Sequence, residues 1–158
     1  MAAEYSANVA QNVAANGSVI FAESPVPCNR GMVYHRDESG LFRLASPSTL
    51  GYRRTCCSSM PTANYVISFS ANIAIPSDPA GTVEAISLAL AIDGEVDPSS
   101  TMTVTPAAVG EFFNVGTHIV VAVPYICRCS SVSVRNVSTQ AITVENANLV
   151  VDFAGIRR

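Results

Sequence analysis

The sequence contains no lysine, no tryptophan and only two histidines. Charged residues make up 13% of the 158 residues, against about 25% in ordinary soluble domains. No apolar run approaches the roughly 20 residues that a membrane span requires; the clearest run, residues 119–123, has the length of a strand and ends at Pro124. The N-terminus lacks the basic and apolar regions of a secretory signal. We therefore expect no membrane partner.

The cationic residues are nine arginines, and the formal net charge is −3. The sequence thus lacks the overall basic character of a nucleic-acid-binding protein, and we expect no direct nucleic-acid contact. Residues 1–60 carry five arginines and four acids, whereas the remainder carries four arginines and eight acids. This asymmetry fits either solvated loops or a basic rim that docks on an acidic protein surface, because arginine pairs bidentately with carboxylates. The arginines of the predicted rim are Arg30, Arg36, Arg53 and Arg54.

Residues suited to catalysis are scarce. His35 and His118 belong to no recognisable motif, and no phosphate-binding loop, dinucleotide fingerprint or nucleophile elbow is present. The acids around Asp93 lack the alternating oxygen ligands of a calcium loop and fit a turn instead. We expect a protein that is not an enzyme, with no catalytic, cofactor-binding or metal-binding residues.

The five cysteines leave three alternatives open. An odd number requires at least one free thiol or a bond between chains. A four-thiolate zinc site and a disulfide between two loops are conceivable, and reduced thiols are the third alternative, although the spacing differs from that of zinc ribbons and fingers. The cysteines are Cys28, Cys56, Cys57, Cys127 and Cys129.

Alternation with a period of two is the strongest positive pattern. In residues 65–75 the odd positions are apolar or aromatic, and the even positions include Ser68, Ser70 and Asn72. This pattern predicts a strand with one apolar face and one small, uncharged face. Such a second face resembles neither a core nor an ordinary solvated surface, so we predict that it contacts another copy of the chain.

Further strands are predicted along the rest of the chain, separated by turn sequences. Residues 76–81 and Asp93-Gly94 are strong turn signals. Residues 117–123 are nearly all apolar, which predicts a strand buried on both faces. Many short strands at this spacing predict an all-β, antiparallel β-sandwich of the jelly-roll type. The other predicted strands are 19–21, 32–35, 41–44, 83–92, 102–104, 112–115, 132–137, 141–145 and 148–153.

The first 17 residues differ from the rest in being small and poor in apolar bulk. Tyr5, Val9 and Val13 stand at i, i+4 and i+8, so a short helix is one interpretation. Because the segment has too little apolar surface to fold alone, we predict an N-terminal arm, residues 1–17, that becomes ordered on a partner. Residues 18–158 would then form one β-sandwich domain.

Several motifs carry a resemblance to a known group of proteins. They are VYHRDESG at 33–40, ANIAIP at 71–76, ALAIDGE at 89–95, VTPAAV with FFNV at 104–115, VRNVSTQ at 134–140 and NANL at 146–149. Together they resemble head decoration (auxiliary capsid) proteins of tailed phages, and the β-pattern is similar to trimeric tumour-necrosis-factor-like jelly rolls. The resemblance implies a homotrimer on the capsid exterior of the virion, assembled in the host cytoplasm, with the major capsid protein as partner. It implies no catalytic residues.

The alternative is a trimeric receptor- or glycan-binding tip domain of a phage tail or bacterial surface protein. Exposed aromatic platforms would favour that alternative, but the chain has only five tyrosines.

Overall fold

A computed structural model describes residues 2–28, 30–51, 60–125 and 129–157. In these ranges no helix is long and apolar enough to cross a membrane. A short 3-10 helix spans Pro98–Ser100. The strands of the described ranges are β1 (Ala2–Ala7), β2 (Gln11–Val13), β3 (Glu23–Val26), β4 (Val33–His35), β5 (Phe42–Ala45), β6 (Thr62–Ala74), β7 (Ile86–Ile92), β8 (Glu95–Val96), β9 (Met102–Val104), β10 (Phe113–Pro124), β11 (Cys129–Asn136) and β12 (Ile142–Arg157).

The strands form two antiparallel sheets. Sheet A has the order β10-β6-β12-β1-β3, and β2 also pairs with β12. Sheet B has the order β4-β5-β11-β7-β8, and β9 pairs with β7. Strands distant in sequence lie next to one another in both sheets, as in β-sandwiches built from long connections. The prediction of an all-β antiparallel sandwich is confirmed.

The core fills the space between the two sheets. On β6 the odd-numbered residues from Ala63 to Ile73 are buried, and the even-numbered residues from Asn64 to Asn72 lie on the opposite face. The predicted alternation of residues 65–75 is therefore confirmed. Sheet B contributes the facing apolar side chains, among them Phe42, Leu88 and Leu90. Sheet A thus turns one face to the core and the other outward.

Strand β10 corrects one prediction from the sequence. Residues 117–123 are not buried on both faces: Ile119, Val121 and Val123 are buried, whereas Val120 is 66% exposed. The physical reason is that sheet A packs against sheet B on one side only, so only one face of β10 meets the core. Residues 112–115, predicted as a separate strand, continue into the same strand through Gly116.

Residues with positive φ angles form a hairpin turn in sheet B and a bulge in sheet A. Asp93 and Gly94 join β7 to β8 with positive φ angles of 52° and 86°, as a type I′ hairpin requires. The predicted tight hairpin is confirmed. Asn146, with φ of 50°, lies at a bulge in β12, so the two strands predicted on either side of it form one continuous strand.

The N-terminal segment is not a separate arm, and it is not helical. Strand β1 pairs with β12 and β3, and β2 pairs with β12, so both are part of sheet A. Tyr5 and Val13 are 3% and 4% exposed, whereas Val9, between the two strands, is 80% exposed. Tyr5 on β1 and Val13 on β2 each face the core from their own strand, whereas Val9 lies in the loop between the strands. Only Val9 of these three remains accessible to a partner.

Candidate interaction surfaces

The outward face of β6 and β10 is the surface that the sequence pattern indicated. Across the two strands Asn72 lies opposite Asn114, Ser70 opposite Gly116, and Ser68 opposite His118. Val66 opposite Val120 and Asn64 opposite Ala122 complete the surface, which we call the β6–β10 face. No acid and no arginine belongs to it. On the next strand, β12, acidic side chains begin with Glu145 opposite Asn72 and Asp152 opposite Val66.

Polar side chains on the β6–β10 face hydrogen-bond to one another. The Ser68 hydroxyl lies 2.8 Å from His118 Nδ1, and Asn114 Nδ2 donates to Asn72 Oδ1 over 3.0 Å. Covering a polar group is costly mainly when it loses water without gaining a partner. These pairs already have partners within the chain, so another protein can cover the face at a reduced desolvation cost.

Within the described residues, strand β10 also presents an unpaired sheet edge. It pairs with β6 on one side and ends sheet A on the other. Its sequence from Phe113 to Pro124 contains no arginine, lysine, aspartate or glutamate. Monomeric proteins usually protect long edge strands with charges, bulges or covering segments. A 12-residue edge without charge lies directly beside an uncharged face, and both have the chemistry of surfaces covered by protein.

The two described arginines of the predicted rim flank a strand of the other sheet. Arg30 is exposed in the turn before β4, and Arg36 is exposed directly after β4. Arg53 and Arg54 lie outside the described residues. The structure therefore groups Ser68, Ser70 and Asn72 on sheet A and places Arg30 and Arg36 at the two ends of a sheet B strand, rather than forming one combined site.

A second surface, which sequence reasoning missed, surrounds Tyr34 on the outward face of sheet B. Tyr34 on β4 is 64% exposed and pairs across the strands with Arg43 on β5. Both residues line two depressions, one of about 290 Å³ and one of about 510 Å³. The sequence offered one signal for this surface, the alternation of core-facing and outward residues. Tyr34 stands between Val33 and His35, and Arg43 stands between two buried residues.

The two histidines do not belong to a catalytic constellation in the described residues. His118 contacts Ser68, but no described carboxylate hydrogen-bonds to His118 to orient it as a base. The His35 ring nitrogens lie 3.2 Å from the carbonyl oxygens of Leu41 and Phe21. Its ring stacks on Phe42 with centroids 4.2 Å apart. These contacts give His35 a structural role between strands and loops.

The cysteines leave the zinc and disulfide alternatives untested. Cys28 and Cys129 are free thiols. Cys56, Cys57 and Cys127 lie outside the described residues. Within the described ranges no group of three histidine, cysteine or acidic side chains is arranged to hold a metal ion.

Comparison with known proteins identifies the fold. No protein-family model and no curated protein matches the chain. The globular domain of zebrafish complement 1qA protein is similar with a TM-score of 0.60 and 11% identity, over 97% of this chain and 96% of that chain. The tumour necrosis factor Eiger of S. frugiperda is similar with a TM-score of 0.60 and 11% identity, over 100% of this chain and 95% of that chain.

The chain therefore has the jelly-roll fold of the complement C1q and tumour-necrosis-factor domains. This confirms the predicted fold class. At 11% identity the likeness concerns the fold, and the function has to be argued from the surfaces of this chain.

Proposed function

We propose that the chain is a non-enzymatic decoration protein of a phage capsid, a homotrimer that binds the major capsid protein on the outside of the head and stabilises the shell. The observation that carries the proposal is the β6–β10 face together with the uncharged β10 edge. A chain with 13% charged residues has few charges for solvation, and none of them lies on these two adjoining surfaces. Self-association would cover both.

A closed ring of three copies suits an edge that adjoins a face. Contact between the edge of one copy and the face of the next is heterologous, because it joins two different surfaces. Such contacts close into a ring when the rotation between copies is right, and the ring leaves no β10 edge open. The resemblance to trimeric jelly rolls favours three copies. Ser68, Ser70 and Asn72 would then lie between neighbouring copies.

Attachment to the shell would use the exposed arginines. Arg30 and Arg36 are exposed at the ends of β4, and Arg53 and Arg54 belong to the same third of the chain. Single exposed ion pairs are weak. Three copies binding at once would raise the overall affinity through the effective concentration of the linked sites. Exposed Val9, between β1 and β2, is the remaining contact proposed for the N-terminal segment.

Sedimentation of the purified chain at micromolar concentration tests the trimer. We expect a species of three times the 16.6 kDa chain mass. Ser70→Glu should yield monomers, because it would bury an unpaired carboxylate between copies. Ser48→Glu, which changes an exposed serine near β5, is the matched control and should leave the trimer intact. A stable wild-type monomer would refute the trimer.

The location on the head requires a separate measurement. Quantitative mass spectrometry of purified virus heads and separated tails should find the chain in heads, stoichiometric with the capsid protein. Presence in tails or on cell surfaces alone would refute decoration of the capsid while leaving the trimer unaffected.

A second candidate function, a receptor- or glycan-binding tip, is favoured by Tyr34. An aromatic side chain that is 64% exposed beside an arginine is the kind of platform that this function requires. Recovery of the chain from tails or cell surfaces would support this candidate over the first.

A further inference from the structure

The surface around Tyr34 has the shape of a groove with a ridge across it. Tyr34 and Arg43 lie side by side on β4 and β5 and border a depression on each side. The first depression, of about 290 Å³, is also lined by Arg36, Ser39 and Leu41. The second, of about 510 Å³, reaches Thr49. We call these six residues the Tyr34 groove.

The two arginines of the Tyr34 groove are available for a ligand. Within the described residues neither Arg36 nor Arg43 forms an ion pair. The neighbouring acids line other cavities: Asp37 lines one that Tyr34 also borders, together with Tyr5 and Cys28. Glu38 lines another, beside Val9 and Glu23. Two guanidinium groups therefore border a groove that has no acid in its lining. Guanidinium groups bind carboxylates through paired, charge-assisted hydrogen bonds.

The other residues of the Tyr34 groove narrow the class of anionic ligand that fits it. A protein partner typically inserts a bulky apolar side chain into a desolvated pocket. Here the depressions lie on the open face of a sheet and carry the hydroxyl groups of Ser39 and Thr49 together with the arginines. These hydroxyl groups donate to the carbonyl oxygens of Leu41 and Ser46, so towards a ligand they act as acceptors. The tyrosine ring offers a flat apolar surface with a polar tip. A ligand made of flat-faced rings that bear hydroxyl and carboxylate groups matches all of these features.

We propose that the Tyr34 groove binds an acidic glycan, with a sugar ring packed on Tyr34 and its carboxylate held by Arg43 and Arg36. The depressions on the two sides of Tyr34 would accept consecutive sugar units of one chain. This inference goes beyond capsid decoration and supplies a ligand class for the second candidate function. It requires neither the trimer nor a location on the head, so its failure is separable from theirs.

Calorimetric titration at low ionic strength tests the proposal with two tetrasaccharides that differ in charge. A hyaluronan tetrasaccharide carries glucuronate carboxylates, whereas chitotetraose has only neutral N-acetylglucosamine units. We expect the hyaluronan fragment to bind about tenfold more tightly or better, since hydrogen bonds to charged groups are the stronger ones. Its binding should weaken as salt is added. Equal affinity for the two sugars, or no binding of the hyaluronan fragment, overturns the proposal.

Variants locate the binding. Arg43→Gln should weaken hyaluronan binding roughly tenfold, and Tyr34→Ala should weaken it while Tyr34→Phe retains it. Arg157→Gln, on the exposed end of β12 in sheet A, is the matched control and should bind like the wild type. Circular dichroism verifies that each variant is folded. Unchanged affinity in folded Arg43→Gln overturns the proposal, as does a hexaglutamate peptide that binds through Arg43 when neither sugar does.

Discussion

Two outward surfaces of this sandwich, one on each sheet, have opposite chemistry. The β6–β10 face of sheet A carries no arginine and no acid, and its polar side chains pair with one another. The Tyr34 groove of sheet B carries an exposed aromatic ring and two arginines without carboxylate partners in the described residues. A protein with few charges has therefore placed them unevenly. This difference is the basis of the two proposals, that sheet A contacts further copies of the chain and that sheet B binds an external ligand.

Among the substitutions, Val120→Glu is expected to have the largest effect. It tests directly whether the β6–β10 face lies between copies of the chain. Val120 is 66% exposed on the β10 edge strand, so the change is tolerable in a monomer but places an unpaired charge between copies of a trimer. We expect self-association to weaken about a hundredfold or more, roughly 3 kcal/mol, as measured by sedimentation equilibrium.

Two controls accompany Val120→Glu. Val83→Glu changes a valine that is 52% exposed in a loop and should not affect association. Glycan titration of Val120→Glu should match that of the wild type. Loss of glycan binding in this variant would show that the two faces are not independent.

Asn136→Ala is expected to have the next largest effect, and it contrasts an asparagine of the interior with one of the surface. Asn136 is fully buried, its Nδ2 contacts the carbonyl oxygens of Val13, Ala14 and Gln140, and its Oδ1 accepts from the Ser138 amide. Removing the side chain takes one donor from each of these carbonyl groups and removes the acceptor of the Ser138 amide. We expect a loss of about 2–3 kcal/mol in the free energy of unfolding, measured with urea.

The matched change is Asn72→Ala on the β6–β10 face. Asn72 is half-buried and accepts one hydrogen bond from Asn114, so the loss should stay below about 0.5 kcal/mol for the monomer. Equal losses for the two asparagines would contradict the division into a structural interior and a surface available to partners.

How much of the fold could be predicted from the sequence depended on the length of each sequence pattern. The strand at residues 65–75 was predictable because its alternation extends over the whole segment, and Asp93-Gly94 because few dipeptides suit a type I′ turn. Strand β1 was missed because its sequence, AAEYSA, forms a strand through pairing with β3 and with β12, which lies 140 to 150 residues away. Such pairing is invisible in a local pattern.

The Tyr34 groove could not be assembled from the sequence for a related reason. Strands β4 and β5 have three and four residues, too few for alternation to define a face. The proximity of Tyr34 and Arg43 depends on the register between the two strands, which the sequence does not state. Asn136 was likewise noticed only as part of a motif, whereas its role comes from contacts with the N-terminal strands.

Tyr65→Phe tests how much one side-chain contact between sheet A and sheet B stabilises the fold. The Tyr65 hydroxyl, on β6 of sheet A, lies 2.8 Å from the carbonyl oxygen of Ala45 on β5 and 3.1 Å from that of Met32 just before β4, and it shares its one proton between them. Replacement by phenylalanine removes these bonds and should lower the free energy of unfolding by about 1–2 kcal/mol at neutral pH. Tyr34→Phe, at an exposed tyrosine, should change it by less than about 0.5 kcal/mol.

The same residue predicts a dependence on alkaline pH. Burial raises the pKa of Tyr65 to about 12, above the ordinary value of about 10. The folded state therefore holds this proton more tightly than the unfolded state, and the associated stability is present below pH 10 and is lost as the pH rises towards 12. Urea unfolding of Tyr65→Phe should show a shallower decline over this range, with a remainder due to Tyr5, whose pKa is also raised to about 12 by burial. An unchanged decline would contradict the assignment to Tyr65.

Ser68→Ala is expected to have the smallest effect on folding. The Ser68 hydroxyl contacts only His118 Nδ1 among the described side chains, on an exposed part of the face, so the monomer should lose less than about 0.5 kcal/mol. In a trimer the consequence differs, because another copy would cover the His118 nitrogen, which would no longer have the Ser68 hydroxyl as its hydrogen-bond partner. Self-association should then weaken by up to about tenfold. Sedimentation equilibrium and urea unfolding of this one variant therefore separate the two roles: a loss in association that exceeds the loss in folding stability places Ser68 between copies, and equal small losses place it on a solvated surface.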